Sequence, residues 1–361
     1  MTGEEKVLDI KLICALGVAA AATGLTVPLA IRLAPKLGAM DEPDERKVHS
    51  RPMPRLGGLA IFIGVWAGWL VAGAPAEWLG LLIGATLVFL WGLADDIRGL
   101  NPWIKLLGQI LAAAIAAGNG VLFSFVGHPL HEGQVFPLDG LAFPLTVFWL
   151  VAVTNAVNLI DGLDGLAAGV GSIAGLTLAA AASLAGSAEG IGPALVISVC
   201  LLAFLPFNFH PARTFLGDCG SMFAGFFLAG ASVLGVAKTA TAVILLVPVV
   251  ILGIPLFDTF FAILRRVHSR RHIFRPDREH LHHRLLIVGF SHRGAVLFIY
   301  AVSALLGLTA VLLTQLTLPQ GLLLLAGVAT LLFLAALRLG VIGKRWVSLK
   351  RHRAAEDVLR G

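Results

Sequence analysis

Long apolar runs, each close to 20 residues, alternate with short polar stretches along almost the whole chain. A run of about 20 apolar residues lets a helix cross the hydrocarbon core of a bilayer. We therefore predict an all-α, polytopic integral membrane protein with a single domain over residues 1–361. About eleven transmembrane helices are expected, at residues 11–34, 57–74, 77–94, 103–126, 142–158, 166–186, 191–207, 220–236, 241–264, 295–314 and 321–341.

The composition supports a membrane protein. Hydrophobic residues make up 58% of the chain and charged residues 13%, whereas a soluble domain carries about 25% charged residues. The polar stretches are too short to form a core of their own, so no separate soluble domain is expected. The three cysteines show no CxxC pattern and predict neither a disulfide framework nor a zinc site.

The distribution of Lys and Arg predicts the orientation, because loops on the cytoplasmic side are enriched in these residues. With the N-terminus outside, only Lys6, Lys11 and Lys238 of the 27 Lys and Arg residues lie on the outer side. The C-terminus, with its basic tail at 343–361, is then cytoplasmic. We attribute the net charge of +6 to this topology and to anionic lipid, and we expect no nucleic-acid partner.

Five polar clusters are predicted to lie on the cytoplasmic side. They occupy residues 35–56, 95–105, 155–166, 208–221 and 265–293. A transporter more often places its polar groups near the membrane midplane, on broken helices. Polar groups on one face favour an enzyme that acts on one soluble and one membrane-bound substrate. A polyprenyl-lipid or ion transporter stays an alternative, because the number of predicted spans would suit it.

Asp95 and Asp96 close the third predicted helix. Neighbouring residues on a helix point about 100° apart, so the two carboxylates cannot share one role symmetrically. One is expected to approach the substrate while the other binds a cation or a basic side chain. Asn101 followed by Pro102 predicts the start of the next helix, and Lys105 lies one turn into it.

Asn155, Asn158, Asp161 and Asp164 are spaced by three residues, which on a helix makes a slowly drifting polar stripe. Amide and carboxylate oxygens at a membrane surface can bind a hard cation, and they can also bind the ribose and base edges of a nucleotide. Asp164 is in addition expected to cap the helix that begins near Leu166.

Asn208 and Asp218 lie in the segment between two predicted spans, and glycines near Asp218 would let the backbone approach a ligand closely. The next helix begins here, as do the helices near Asn101 and Asp164. Several positive helix ends on one face favour a polyanion such as a diphosphate. Asp218 could then hold a magnesium ion that bridges the diphosphate oxygens, although a simple tight turn explains the segment as well.

His280, His282 and His283 lie in an arginine-rich loop without the cysteine or HExxH pattern of a zinc site. Phosphate or nucleotide binding fits the neighbouring arginines better. The loop between the first two spans contains Lys47 and Arg55, which could meet a lipid phosphate at the level of the headgroups.

Several strings of residues between about 41 and 285 match one known family in the same order. They are Asp44-Glu45-Arg46-Lys47-Val48-His49, Pro54-Arg55-Leu56-Gly57-Gly58, Ala94-Asp95-Asp96, Asn155-Ala156-Val157-Asn158-Leu159-Ile160-Asp161-Gly162-Leu163-Asp164-Gly165-Leu166-Ala167, Asn208-Phe209-His210-Pro211-Ala212, Phe215-Leu216-Gly217-Asp218 and Glu279-His280-Leu281-His282-His283. With these strings the chain resembles the polyprenyl-phosphate N-acetylhexosamine-1-phosphate transferases, glycosyltransferase family 4. The two central strings are highly specific, whereas Asp-Asp alone is not.

The resemblance implies transfer of a sugar 1-phosphate from a UDP-N-acetylhexosamine to undecaprenyl phosphate, with release of UMP, at the cytoplasmic face of a bacterial inner membrane. It implies Mg2+, which Mn2+ can replace, with Asp218 as the best ligand and Asn158 as a second. The implied catalytic residues are Asp95, Asp96, Asp161, Asp164 and Asn208, and the implied substrate-binding residues are Lys47, Lys105, Asn155, His280, His282 and His283. A homodimer is a further hypothesis, since the sequence does not determine the oligomeric state.

Within that family the chain resembles the branch that uses UDP-N-acetylglucosamine in O-antigen, common antigen or teichoic acid synthesis. The branch that makes the first peptidoglycan lipid usually has three consecutive histidines and a Thr-Pro-Thr-Met-Gly-Gly string. Here Leu281 interrupts the histidines, and residues 53–58 read Met-Pro-Arg-Leu-Gly-Gly. UDP-MurNAc-pentapeptide and other UDP-amino sugars stay alternatives. We favour direct attack by the lipid phosphate over a covalent aspartyl intermediate, because a phosphate monoester is already an anionic nucleophile.

Overall fold

The computed structural model of the protein describes residues 3–43, 51–127, 134–236, 246–268 and 280–341, and most of them are helical. The helices are α1 (Gly3–Leu37), α2 (Gly58–Val71), α3 (Leu79–Arg98), α4 (Pro102–Gly118), α5 (Ala142–Ile160), α6 (Leu166–Leu184), α7 (Ala188–Asn208), α8 (Gly217–Val236), α9 (Leu246–Ile251), α10 (Gly253–His268), α11 (Leu281–Val288), α12 (His292–Leu313) and α13 (Leu318–Leu339). The strands are β1 (Met40–Asp41), β2 (Met53–Pro54), β3 (Phe125–Gly127) and β4 (Val135–Pro137).

The prediction of a polytopic membrane protein is confirmed. Within the described ranges, eight segments are long and apolar enough to cross a membrane, and they contain α1, α3, α5, α6, α7, α8, α12 and α13. The predicted number of eleven is not confirmed. Helices α2 and α4 are apolar but have only 14 and 17 residues, which corresponds to lengths of about 21 and 26 Å at a rise of 1.5 Å per residue.

The predicted span at 103–126 was too long, because α4 ends at Gly118. The side chain of Asn119 donates to the carbonyl of Ile115 at 2.7 Å and so satisfies an acceptor in the last turn. Gly120 has a φ of +97°, which stops helical propagation. The Gly-Asn-Gly sequence is a stop signal that the apolar residues after it obscured.

The predicted span at 241–264 is interrupted at Leu252 in its described part, where α9 gives way to α10. Pro255 lacks the backbone N–H that would otherwise bond to the carbonyl of Ile251, and its ring disfavours a straight continuation. The apolar composition of residues 241–264 predicted a membrane-spanning segment, but composition does not show where a helix breaks.

The expected all-α class is confirmed, and among the described residues two short antiparallel strand pairs join the helices. Strand β1 pairs with β2, with Met40 opposite Pro54. Strand β3 pairs with β4, with Phe125 opposite Pro137. Asp41 and Met53 of the first pair line the cavity described below, and the carbonyl of Pro54 accepts a hydrogen bond from the N–H of Phe215, just before α8.

Helix α8 is the centre of the bundle. Of its most apolar stretch of 18 residues, 89% are buried, whereas none are buried in the corresponding stretch of α13. The α8 side chains Phe223, Phe226 and Phe227 are fully buried. Helix α8 packs against α2, α3, α5, α6 and α7. Asp218 belongs to the first turn of α8, so the most buried of these eight segments positions this carboxylate.

Candidate active site

An open cavity of about 760 Å³ lies at one end of the bundle, where α3, α5 and α7 end and α6, α8 and α12 begin. Seven of the residues that the sequence predicted for the site line it, namely Asp96, Asn158, Asp161, Asp164, Asn208, Asp218 and His283. The structure therefore brings together side chains from segments that are far apart in the sequence. Lys47 falls outside the described residues.

Asp96 binds the first turn of α8. Its two carboxylate oxygens accept hydrogen bonds from the backbone N–H groups of Asp218 and Cys219, both at 2.9 Å. The first N–H groups of a helix have no partner within the helix, so a carboxylate there caps it and interacts favourably with the helix dipole. The side chain of Asp96 is only 1% exposed. Asp96 thus fixes the backbone that carries Asp218.

The turn before α8 requires glycine. Gly217 has a φ of +75°, which side chains rarely tolerate. A Cβ atom there would also collide with the backbone carbonyl of Arg55 and approach a carboxylate oxygen of Asp96. Arg55 completes this corner, since its guanidinium donates to the backbone carbonyl of Asp96 at 2.9 Å. The sequence placed Arg55 near a lipid phosphate but did not predict this positioning contact.

Lys105 connects two of the carboxylates. Its ammonium group lies 2.7 Å from Asp95 and 2.9 Å from Asp218. Asp95 also accepts a hydrogen bond from the backbone N–H of Leu100. Asn101 caps α4 as predicted, because its side chain accepts from the N–H of Trp103 and Pro102 follows it. This cap sets the position from which Lys105 reaches across to α8.

Asn158 is the second partner of Asp218. Its amide nitrogen donates to Asp218 at 2.7 Å and to the hydroxyl of Ser221 at 2.8 Å. The two carboxylate oxygens of Asp218 therefore face Asn158 and Lys105 separately. Ser221 follows Asp218 by three residues, and helical spacing from Asp218 is the sequence signal that could have identified it.

Asn155 faces away from this group. Its amide nitrogen donates to the side-chain oxygen of Gln109 of α4 at 2.6 Å, and its amide oxygen accepts from the side-chain nitrogen of Gln109 at 3.3 Å. Its nitrogen also bonds to the carbonyl of Val151. The stripe predicted from the spacing therefore divides, with Asn158 at the cavity and Asn155 between two helices.

Asn208 holds two loops together at the cavity wall. Its amide oxygen accepts from the N–H of Gly165 at 3.1 Å, and its nitrogen donates to the carbonyl of Thr214 at 3.0 Å. Asn208 is 2% exposed. Its observed contacts shape the site.

Asp164 does not cap α6, contrary to expectation. The residue before the helix is Gly165, in the left-handed conformation, and no side chain caps this end. The carboxylate of Asp164 instead bonds the ring of His210 at 2.8 Å and the N–H of Ala212 at 3.1 Å. Asp164 thereby ties the loop before α6 to the loop between α7 and α8.

Asp161 lies in the loop after α5 and lines the cavity. Burial, followed by repulsion from Asp218, Asp96 and Asp164, raises the pKa of Asp161 to about 8. A carboxylate among other carboxylates would gain from a bound cation. The group thus has the electrostatics of a cation site.

The Asp161→Asn variant should be more stable than the wild type in chelator, by a margin that grows with pH. Between the ordinary pKa of 3.8 and about 8, the unfolded chain has released the proton that folded Asp161 keeps. Rising pH therefore favours unfolding of the wild type over this interval, and the effect levels off above it. We expect the difference in apparent Tm, measured in detergent, to widen from pH 5 to pH 8. A difference in apparent Tm that stays constant from pH 5 to pH 8 would contradict this electrostatic explanation.

The donor set around Asp218 fits a hard divalent cation. Carboxylate and amide oxygens are the preferred ligands of magnesium. The carboxylates of Asp218 and Asp161 line the same cavity, together with Asn158. Because the nitrogen of Asn158 already donates to Asp218, its amide oxygen is the atom left to approach a cation.

His280 is paired with Asp258 of α10. One carboxylate oxygen of Asp258 lies 2.8 Å from Nδ1 of His280, and the other accepts from the N–H of Leu281 at 2.8 Å. Asp258 therefore fixes the ring of His280 and caps α11 at once. Asp258 was not predicted for the site, because it lies inside an apolar predicted span.

His282 is 3% exposed. Its ring lies nearly parallel to that of His280, with centroids 5.8 Å apart, and 4.2 Å from that of His283. Burial and the neighbouring His283 lower the pKa of His282 to about 3, so this ring is neutral at physiological pH. Its Nε2 atom is buried without a hydrogen-bond partner among the described residues. A Cβ atom on Gly162 would collide with it, which places Nε2 against the loop that carries Asp161.

The chain is similar to several known proteins. A model of glycosyl transferase family 4 matches residues 78–236. The chain is 42% identical, over 81% of its length and 82% of the other protein, to a probable undecaprenyl-phosphate N-acetylglucosaminyl 1-phosphate transferase of Bacillus subtilis. It is 40% identical to a decaprenyl-phosphate N-acetylglucosaminephosphotransferase of Mycobacterium leprae, over 77% of each chain. A phospho-N-acetylmuramoyl-pentapeptide-transferase of Moorella thermoacetica is 32% identical, over 72% of this chain and 84% of that protein.

Proposed function

Since the chain belongs to glycosyl transferase family 4, we propose that it transfers N-acetylglucosamine 1-phosphate from UDP-N-acetylglucosamine to undecaprenyl phosphate. The observation that carries this proposal is the convergence of Asp218, Asn158 and Asp161 on one open cavity at the end of a membrane bundle. A site at the end of the bundle can admit a soluble nucleotide sugar and a lipid phosphate together. The products are undecaprenyl-diphospho-N-acetylglucosamine and UMP.

The identities of the relatives support the choice of donor. Two relatives with N-acetylglucosamine in their names are 42% and 40% identical to this chain, and the muramoyl-pentapeptide relative is 32% identical. Arg55, which stands where the peptidoglycan branch has a different string, contacts Asp96 behind Asp218. These observations support UDP-N-acetylglucosamine as the proposed donor.

In the proposed reaction, an oxygen of the lipid phosphate attacks the phosphorus that carries the sugar. The bond from that phosphorus to the bridging oxygen breaks, and this oxygen leaves with UMP. Such phosphoryl transfer depends on positioning and on neutralising negative charge, because the protein has little covalent chemistry to perform. Lys105 supplies a positive charge beside Asp218. The neutral ring of His282 supports the loop that carries Asp161 rather than lining the cavity.

Magnesium, when bound by Asp218, Asp161 and Asn158, would neutralise charge on the diphosphate and stabilise the leaving UMP. Asp96 holds the backbone of Asp218, and Asp164 and Asn208 fix the loops around the cavity. Asp95 orients Lys105. These residues determine where the two phosphates can meet.

The proposed location is the bacterial inner membrane, with the cavity at the cytoplasmic face. Arg51, Arg55 and Lys105 lie at the cavity end, which agrees with the enrichment of Lys and Arg on the cytoplasmic side. This orientation places the N-terminus outside and the C-terminus inside, and it gives the cavity access to cytoplasmic UDP-sugars. A homodimer stays a prediction.

Release of UMP by the purified protein in detergent tests this function. With undecaprenyl phosphate and magnesium, we expect release with UDP-N-acetylglucosamine and loss of that release when a chelator is added. UDP-N-acetylgalactosamine and UDP-MurNAc-pentapeptide are the control donors. Release with a control donor alone would reassign the substrate. No release with any donor, from protein shown to be folded, would favour the transporter alternative.

The Asp258→Asn variant should lower kcat about tenfold, because Asp258 orients His280, a residue proposed to bind substrate, and loss of an orienting group has an effect of this size. The amide oxygen of Asn can accept the bond from Leu281, but its nitrogen can meet His280 only as a donor, so the ring loses this bond or adopts the other tautomer. The measurement is UMP release alongside thermal unfolding. Thr259→Val is the matched control, since the hydroxyl of Thr259 has no partner among the described residues. If Asp258→Asn and Thr259→Val have the same activity, Asp258 does not contribute to the reaction.

A further inference from the structure

The only tyrosine of the chain lies inside an apolar helix that can span the membrane. Tyr300 follows the first residue of α12 by eight positions, which places it about 12 Å along the helix axis. A hydroxyl group in such surroundings is costly unless it forms a hydrogen bond. Tyr300 was not predicted for the site, so the partner of its hydroxyl indicates why a tyrosine is present.

That partner is the backbone carbonyl of Gly165, the residue just before α6. Side chains of a helix point toward its start, so Tyr300 reaches back along α12 toward the end of the bundle where the cavity lies. The ring lies against Gly169, because a Cβ atom on Gly169 would collide with it. The two glycines, one helical turn apart, therefore leave the space that the Tyr300 ring occupies.

Gly165 is held from two sides. Its N–H donates to the side chain of Asn208 in α7 at 3.1 Å. Its carbonyl accepts the Tyr300 hydroxyl in addition to the helical hydrogen bond from the N–H of Gly169, and a carbonyl oxygen has two lone pairs for this purpose. Gly165 also has a φ of +81°, so the chain turns sharply here. These contacts fix the point at which the loop between α5 and α6 ends.

This loop is short and carries two carboxylates of the cavity. It comprises residues 161–165, and both Asp161 and Asp164 line the cavity. Helix α5 sets the position of its first residue, and the contact between Tyr300 and Gly165 sets that of its last. Because so few residues join two fixed ends, a shift of Gly165 also displaces Asp161. Displacements of about 1 Å are enough to impair a reacting centre.

We propose that Tyr300 is a positioning residue for the transfer reaction, and that it fixes the loop of residues 161–165 and thereby the place of Asp161 beside Asp218. This inference rests on the proposed function, in which the two carboxylates hold the magnesium ion that meets the donor diphosphate. The Tyr300→Phe variant keeps the ring against Gly169 and loses only the hydrogen bond. Loss of one hydrogen bond typically changes an equilibrium about fivefold.

Ser303→Ala is the matched control for Tyr300→Phe. It removes a hydroxyl group from the same helix, three residues further along, and that hydroxyl has no partner among the described residues. The first measurement is amide hydrogen exchange of the full-length proteins in detergent, read by mass spectrometry in peptides that cover residues 161–169. It requires neither substrate nor metal. We expect exchange there to be about fivefold faster in Tyr300→Phe and unchanged in Ser303→Ala.

UMP release distinguishes positioning from a merely structural role. In Tyr300→Phe, the magnesium concentration at half-maximal rate and the KM for UDP-N-acetylglucosamine should each rise about fivefold. The KM for undecaprenyl phosphate should stay at the wild-type value, because the loop of residues 161–165 serves the donor and the cation. A partial loss of folded protein would instead lower kcat alone. Ser303→Ala should match the wild type in all of these quantities.

Folded Tyr300→Phe protein with wild-type exchange at residues 161–169 would overturn the proposal. A lower kcat with an unchanged magnesium requirement and an unchanged KM for the donor would also overturn it. Wild-type protein that releases no UMP with any donor would refute the proposed function itself. The exchange comparison would then still show whether Tyr300 fixes the loop, so the two failures are distinguishable.

Discussion

The Asp218→Asn variant is expected to release UMP about 10²–10³-fold more slowly than the wild type, a loss typical of removing one strong electrostatic contact from a reacting centre. The carboxylate of Asp218 lies between Lys105 and Asn158, and its side chain is 28% exposed to the cavity. Asparagine keeps the size of the side chain but loses the negative charge that would hold a divalent cation. The measurement is UMP release at saturating magnesium and donor.

The matched control for Asp218→Asn is Asp139→Asn. Asp139 lies just before α5, at the opposite end of that helix from Asn158, so the same chemical change is made far from the cavity. We expect the control to retain wild-type turnover. Both proteins are first compared by thermal unfolding, because an unfolded variant would imitate a catalytic loss. A folded Asp218→Asn protein with full magnesium-dependent turnover would refute the proposed role of Asp218.

The Gly92→Ala variant should lower turnover about 10²-fold although Gly92 is far from Asp218 in the sequence. A Cβ atom on Gly92 would lie 2.6 Å from Cα of Cys219 and 2.7 Å from the backbone oxygen of Asp218. These atoms belong to the backbone of α8, so relieving the clash requires α3 and the first turn of α8 to move apart. Overpacking of this kind costs about 3 kcal/mol or less in most cores. A displacement of about 1 Å at a reacting centre can lower turnover about 10²-fold.

The Gly118→Ala variant is the control for Gly92→Ala. No atom lies within 4 Å of the position that its Cβ would take, at the exposed end of α4. We expect its apparent Tm to equal or slightly exceed that of the wild type, since alanine favours a helix more than glycine does. The measurements are apparent Tm and UMP release for both variants. Equal behaviour of the two variants would show that the close contact between α3 and α8 does not determine the position of Asp218.

Several elements could be predicted because their signal is local. The length of an apolar run indicates a membrane-spanning helix, as it did for α8 and α12. Asn101 followed by Pro102 indicated where α4 begins, because capping involves only neighbouring residues. The limits of α4 and the break at Leu252 were missed, since hydrophobicity does not distinguish a continuous helix from one that stops or bends within an apolar environment.

The polar stripe on α5 shows where local reasoning ends. A spacing of three residues predicts that Asn155 and Asn158 share a helix face, which is a property of the helix alone. Whether that face meets the cavity or another helix depends on how α4 and α8 pack around it. Asn155 donates a hydrogen bond to Gln109, and Asn158 donates one to Asp218. The single stripe therefore serves two different purposes.

The sequence by itself determined that this is a membrane protein with clusters of carboxylates, amides and cations between its apolar segments, because hydrophobic length and residue chemistry are local properties. Only the tertiary structure decided which of these groups are partners. Asp96 caps α8, Asp258 holds His280, and His210 stacks on His292. Each of these contacts joins residues that are far apart in the chain, and it exists because the packing of the helices brings their ends to one place.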